Sequence, residues 1–336
     1  MSSVTGVSLA DELPGPSGGS PLGGDQAGTG RLGDRIFGGT AKGAGVLVVA
    51  MVTLVGVFLL WQAVPALKND HVNFLTSREW SVDGPQLRFG ITELLWTTVV
   101  TSLIAMLIAV PVGVAVALFI TQYAPRWLAK PAATLVDLLA AVPSIVYGLW
   151  GLRTLGPAYQ PVQDFLQSKL GHLPLFSATS VSGFGTILFI GIVLSIMVLP
   201  IVTALSREVF AQTPVTHKEG ALALGATKWE MIRTAVLPFG RPGVISASML
   251  ALGRALGETI AVTIIVSSLA DGTPWSWSLL NGGETFASRI ANNAAEFDNP
   301  QKAGAFIAAG LVLFILTFVV NAIARIVIER RKAFSE

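Results

Sequence analysis

Six separate apolar runs leave this chain few folds to choose from. They lie at Ala44–Val64, Leu94–Thr121, Ala132–Leu152, Thr186–Leu205, Val244–Leu269 and Ala303–Ile328. Each is close to or above the roughly 20 residues that carry a helix across about 30 Å of hydrocarbon. Such runs must satisfy every backbone N–H and C=O within themselves, and they lack the alternation of a membrane barrel strand, so helices are predicted. Only 12% of the 336 residues are charged, about half the share usual in soluble domains, and the mean hydropathy is +0.66. The prediction is an all-α, polytopic membrane protein with six transmembrane helices. Pro111, Pro143 and Pro200 fall inside or near the ends of these runs, where kinks are tolerated.

The basic residues give the orientation. Fourteen of the 22 lysines and arginines flank the runs on one side: Arg31, Arg35 and Lys42 before the first, Arg126 and Lys130 in the second link, five in the fourth link and four at the C-terminal end. Seven lie in the three longer loops on the other side, and Arg254 alone lies deep inside a run, Arg325 standing three residues from the end of the last. The positive-inside rule then places both termini in the cytoplasm. A pI near 9.0 thus reflects topology, and no basic tract with interleaved aromatics points to nucleic acid.

The first 42 residues are rich in Gly, Ser, Pro and Asp without apolar periodicity, which predicts a disordered tail. A charged start followed directly by an apolar run is missing, so the tail does not read as a signal peptide. The predicted organisation is a disordered cytoplasmic tail over 1–42, a first membrane helix with its extracytoplasmic loop over 43–90, and a five-helix core over 91–332.

Enzymatic chemistry finds no constellation. With no cysteine and three scattered histidines, His71, His172 and His217, thiol chemistry is excluded and metal-ligand spacing is missing. Gly220 and Gly225 have the outer spacing of a phosphate loop, but Ala226 and Thr227 stand where Lys and Ser or Thr are needed, so no charge would meet the β and γ phosphates of a nucleotide.

The most informative loop runs from Pro214 to Pro238 in the cytoplasm. Thr216-His217-Lys218-Glu219 and Thr227-Lys228-Trp229-Glu230 both fit the capping box. Gly225 lies between them, suited to a left-handed helix end. The reading is helix, turn, helix, stopped at Pro238. Leu222, Gly225, Trp229, Ile232 and Val236 recur at helical spacing and would share one apolar face. From periodicity alone that face could lie on the chain's own helices, on lipid or on a partner.

Within the fifth run, Arg254 and Glu258 are four residues apart, one helical turn, so their side chains are expected to meet. Arg254 lies roughly 15 Å into the span at about 1.5 Å per residue. A charge at that depth costs from about 3 kcal/mol on insertion scales to more than 10 in simulations. It must face protein or water. One reading is a structural ion pair; the other is an arginine that meets an anionic substrate, with Glu258 holding the guanidinium until the anion displaces it. Phosphate and sulfate suit a planar guanidinium equally well, so this chemistry alone does not choose between them. Asp137 reads as a cap of the third span.

Glu219-Gly220-Ala221, three residues to Gly225, and nine more to Ala235-Val236-Leu237-Pro238 resemble the EAA loop of ABC-importer permeases. Gly220 and Ala235 depart from the usual Ala and Ile. Gly253-Arg254-Ala255-Leu256-Gly257-Glu258-Thr259-Ile260-Ala261-Val262, with Asp137-Leu138-Leu139-Ala140-Ala141-Val142-Pro143-Ser144-Ile145-Val146-Tyr147-Gly148, resembles phosphate-specific permease subunits of the PstC type over about 44–331. The resemblance implies the type I ABC importer permease fold and a multi-pass subunit of the bacterial cytoplasmic membrane. It implies translocation of phosphate past Arg254 and Glu258, and ATPase coupling through Glu219, Gly220, Ala221, Gly225, Trp229, Leu237 and Pro238. The implied partners are a PstA-type permease, two copies of a PstB-type ATPase that carries the ATP and Mg, and a PstS-type extracytoplasmic phosphate-binding protein. Import of another oxyanion such as sulfate or molybdate, and an ATPase-independent carrier with inverted repeats or broken helices, are the alternatives.

Overall fold

The computed structural model describes residues 30–84, 86–177, 183–269, 276–297 and 299–332. The chain divides into two compact units, 1–55 and 56–336. In the first, the described part is helical, the start of α1 (Gly30–Lys68). Residues 30–42, assigned by composition to the tail, therefore lie in the helix, whose ladder once nucleated gains one hydrogen bond for each residue it fixes. Residues 1–29 of the predicted tail lie outside the described residues. Side chains from Val46 to Val55 are exposed, as suits a helix surrounded by lipid tails.

The second unit holds the rest. The last turns of α1 place Ala63 and Ala66 against Ala305 and Ala308 of α12 (Pro300–Lys332). A methyl group at Gly304 would stand 2.8 Å from the Ala66 side chain, so small residues set this close approach. A short antiparallel hairpin, β1 (Trp80–Ser81) and β2 (Arg88–Phe89), caps the pair. Trp80 packs edge-on against Phe89 and tilts over Phe306 of α12, and Lys302 pairs with Asp83.

The central helix is α6 (Ile187–Ala211). Its buried Phe189, Val193, Met197, Val198 and Val202 meet Ala105 and Ala109 of α2 (Thr92–Leu118) and Ala251 and Ala255 of α9 (Leu237–Leu256). Lipid tails are as apolar as leucine, so burial gives no preference for helix over lipid and close packing must supply the attraction. Alanines and Gly113 on the flanking helices permit it: a Cβ on Gly113 would lie 3.0 Å from Val202.

Two predicted spans are not single helices. The third breaks between α3 (Arg126–Ala140) and α4 (Ser144–Trp150), which a π turn joins to α5 (Gly156–Leu170). The two arms meet at 90°. Pro143 cannot donate to the helix ladder and disfavours helical geometry at Val142, and the Leu139 carbonyl, which a residue at 143 would meet in an unbroken helix, instead accepts the Val142 N–H at 3.3 Å and the Tyr147 hydroxyl at 2.9 Å. The fifth span ends at Leu256, loses its ladder over Gly257-Glu258-Thr259, and resumes as α10 (Ile260–Ile265). The broken spans touch: a Cβ on Gly148 of α4 would lie 3.0 Å from the Ala261 Cα of α10. Among the described residues, five helices are long and apolar enough to span, six when the bent pair counts as one.

Backbone groups freed beyond α10 find partners in three crossing segments. The Ser267 N–H donates to the Gly185 carbonyl and the Gly283 N–H to the Ser267 carbonyl, while Ile187 and Leu188 donate to the carbonyls of Asn281 and Leu279. Non-helical backbone survives at membrane depth only when buried this way. A Cβ on Gly185 would stand 2.5 Å from the Ile265 carbonyl oxygen. Gly185→Ala is therefore expected to destabilise the chain by about 2 kcal/mol and lower its melting temperature in detergent by several degrees. Gly220→Ala, where a Cβ meets nothing within 4 Å, serves as the control that leaves the melting temperature unchanged or raises it.

Candidate functional site

The break at Gly257 decides the surroundings of the intramembrane charges. Arg254 occupies the last turn of α9, where the unpaired carbonyls of a helix end favour a cation. Its half-buried side chain lines a cavity of about 430 Å³ with Ile201 of α6, Met249 and Gly253 of α9, and Asn321 of α12. The Tyr147 phenol, beside the other break, is within electrostatic range of the guanidinium. Arg254 forms no ion pair among the described residues.

Glu258 corrects the expected pairing. The helix stops between the two residues, so one-turn geometry is lost. Glu258 is buried and its Oε1 accepts the Ala261 N–H at 3.2 Å. It satisfies the first turn of α10 and leaves Arg254 facing the cavity. Asp137 also differs from its reading as a cap: both its carboxylate oxygens lie 3.0 Å from Nη2 of Arg207, tying α3 to the cytoplasmic end of α6. With Asp137 half-exposed, this pair is worth at most about 1 kcal/mol.

The cytoplasmic loop folds as α7 (Val215–Ala223), a turn at Gly225 with φ of +83°, and α8 (Lys228–Met231). The Thr227 box is complete, with the Glu230 N–H donating to Thr227 Oγ1 and the Thr227 N–H donating to the Glu230 carboxylate at 2.7 Å. The Thr216 box does not form. Here α7 starts two residues earlier, with Pro214 at its N-cap and no side-chain cap, since proline's own extended backbone already supplies the non-helical geometry of a helix start. Nor does Pro238 stop the second helix. A π turn over Ile232–Val236 leads into α9 with Pro238 in its first turn, where a missing N–H is harmless.

The expected apolar face divides in two. Ile232 and Val236 are fully buried and join Met231, Phe210 and Ala117 in a small core. Leu222, Leu224 and Trp229 point outward, with Leu224 91% and Trp229 56% exposed. Glu219, Gly220 and Gly225 are exposed beside them, and Ala221 is half-buried. Leu237 and Pro238, assigned to the same loop, lie at the start of α9, away from this outward face.

Two parts of the site had no sequence reading. Asn321 is an amide inside the sixth apolar run, a signal visible but unused. On the outer side, buried Glu284 accepts from Arg289, from Asn292 at 3.0 Å and from Ser268 at 2.9 Å, pinning α11 (Phe286–Asn292) to the segment after α10. Arg289 also lies 5.3 Å over the Trp80 ring. Nothing in the periodicity of these irregular loops marks that cluster.

The profile of the family described as "Binding-protein-dependent transport system inner membrane component" matches residues 109–333. The chain is 54% identical over 298 residues to the "Phosphate transport system permease protein PstC 2" of Mycobacterium tuberculosis, covering 88% of this chain and 91% of that one. It is 53% identical over 295 residues to the PstC protein of Mycobacterium leprae, at 87% and 92% coverage. To the PstC protein of Xylella fastidiosa it is 43% identical over 276 residues, at 81% and 83% coverage.

Proposed function

The chain belongs to the family of binding-protein-dependent transport system inner membrane components, and from that membership we infer that it is the permease subunit through which an ATP-driven importer passes inorganic phosphate into the cytoplasm. The substrate follows from the likeness to PstC proteins over most of the chain. The observation that supports an anion at this site is Arg254, a guanidinium without an ion pair among the described residues, on the wall of an open cavity between α6, α9 and α12. Its planar fork can form two charge-assisted bonds to one oxyanion. Asn321 on the same wall offers an amide N–H to another oxygen.

ATP and Mg bind and react, in this proposal, on a separate ATPase that docks on the outward face of α7 and α8. The partners are two copies of that ATPase, a second permease of the PstA type and an extracytoplasmic phosphate-binding protein. The chain itself catalyses nothing. ATP-driven closure of the ATPase pair would shift the chain between two states in which the cavity opens to opposite sides.

One observation favours a second reading. Broken helices are the mark of ion-coupled carriers, and the third and fifth spans are both broken. The two readings separate in cells that lack this gene and are complemented with it. Labelled phosphate uptake should return while labelled sulfate uptake stays at background. Phosphate uptake should also stop when ATP is depleted with the membrane potential held. Uptake that survives ATP depletion would establish the carrier, and restoration of sulfate uptake would overturn the substrate.

A further inference from the structure

A second cavity, of about 470 Å³, opens at the cytoplasmic end of the fifth span. Val114 of α2 and Leu237, Val244 and Ile245 of α9 form its apolar wall, and Arg233 and Arg241 supply its charge. Neither arginine has an ion pair among the described residues, both are exposed, and no acidic side chain lines the cavity. In a regular helix eight residues turn through about 800°, leaving the two arginines some 80° apart. The π turn over Ile232–Val236 takes up one extra residue, which brings them back to nearly one face. Lys228, the next cation, instead lies 4.7 Å over the Tyr123 ring.

We propose that this cavity binds one anionic phospholipid, with the headgroup phosphate between Arg233 and Arg241 and the start of an acyl chain along Val114, Val244 and Ile245. Two features select a lipid. The cations stand at the cytoplasmic edge of a membrane span, the level of the headgroups, and the wall beside them is apolar in the direction of the bilayer core. Basic pockets between helices on this side suit such headgroups. A free phosphate ion would meet the same arginines but gain nothing from the apolar wall. The inference rests on topology and the cavity, and is independent of which anion the chain transports.

The test uses the full chain with its co-purifying subunits, delipidated in detergent and titrated with phosphatidylglycerol or phosphatidylcholine while bound lipid is counted by native mass spectrometry. Two arginines acting on one headgroup predict about a thirtyfold preference for phosphatidylglycerol. The Arg233→Gln/Arg241→Gln variant should lose that preference, and Arg233→Lys/Arg241→Lys should keep most of it. Since both side chains are exposed, folding should be unaffected, and the lysine variant reads out the site if the glutamine variant is lost. Equal binding of the two lipids by wild type overturns the proposal. So does displacement of phosphatidylglycerol by millimolar inorganic phosphate, which would make the occupant a free anion. Loss of a partner subunit from the glutamine variant with its lipid preference unchanged would make the occupant a protein and overturn it as well.

Discussion

Arg254→Gln is expected to lower phosphate uptake at least about a hundredfold while the chain inserts and assembles at wild-type levels. Each hydrogen bond to a charged group contributes about 1.5–3 kcal/mol, and a planar guanidinium offers two to the same anion. Removing the charge also relieves the membrane of at least about 3 kcal/mol of insertion cost, so failure to insert is not a competing explanation for lost transport. Arg254→Lys retains the charge but not the fork and should lose about tenfold. Uptake of labelled phosphate in cells lacking the gene, normalised to membrane-inserted protein, measures both. Wild-type transport by Arg254→Gln would sink the site, and would leave the cavity beside Asn321 without its principal cation.

The second large effect is expected at Leu224 and Trp229. Leu224→Asp/Trp229→Asp should weaken binding of the ATPase by several hundredfold, since a docking contact dominated by a few buried apolar anchors loses about 2 kcal/mol or more for each one removed. The melting temperature of the chain should not move, because both side chains already face outward. Ile232→Asp is the contrast. Ile232 is fully buried against Phe210 and Ala117, and an unpaired carboxylate there should unfold the loop. ATPase co-purification that survives the double substitution would mean that the ATPase docks somewhere other than this outward face.

Hydropathy located the spans because each apolar run must cross the bilayer, and local hydrogen-bond chemistry located the turn at Gly225 and the Thr227 cap. The backbone breaks were not legible in the same way. Ala141-Val142-Pro143 lies within a run apolar on both sides, so hydropathy is unchanged through a 90° bend. Pro143 was the available signal, but proline inside a span is also compatible with a mild kink. Gly257-Glu258-Thr259 carries no breaker as strong, and the pairing of Arg254 with Glu258 failed because it assumed an unbroken turn. The stripe from Leu222 to Val236 failed for a related reason: a π turn changes the phase, so one periodic pattern serves an outward docking face and an inward core. Thr216 lost its expected cap to Pro214, one residue before the helix start, which no spacing rule separates from a capping box.

The missing stop at Pro238 leaves Lys228 to Leu256 as one uninterrupted rod of 29 residues, about 40 Å long at 1.5 Å per residue. Trp229 stands at one end and Arg254 at the other. The rod is held on α6 at two separate places: Ile232 and Val236 pack with Phe210 near the cytoplasmic end of α6, and Ala251 and Ala255 pack against its middle. Two anchorages leave no single pivot. A push at the docking face should therefore reach the Arg254 end with α6 and α9 moving together as one strut.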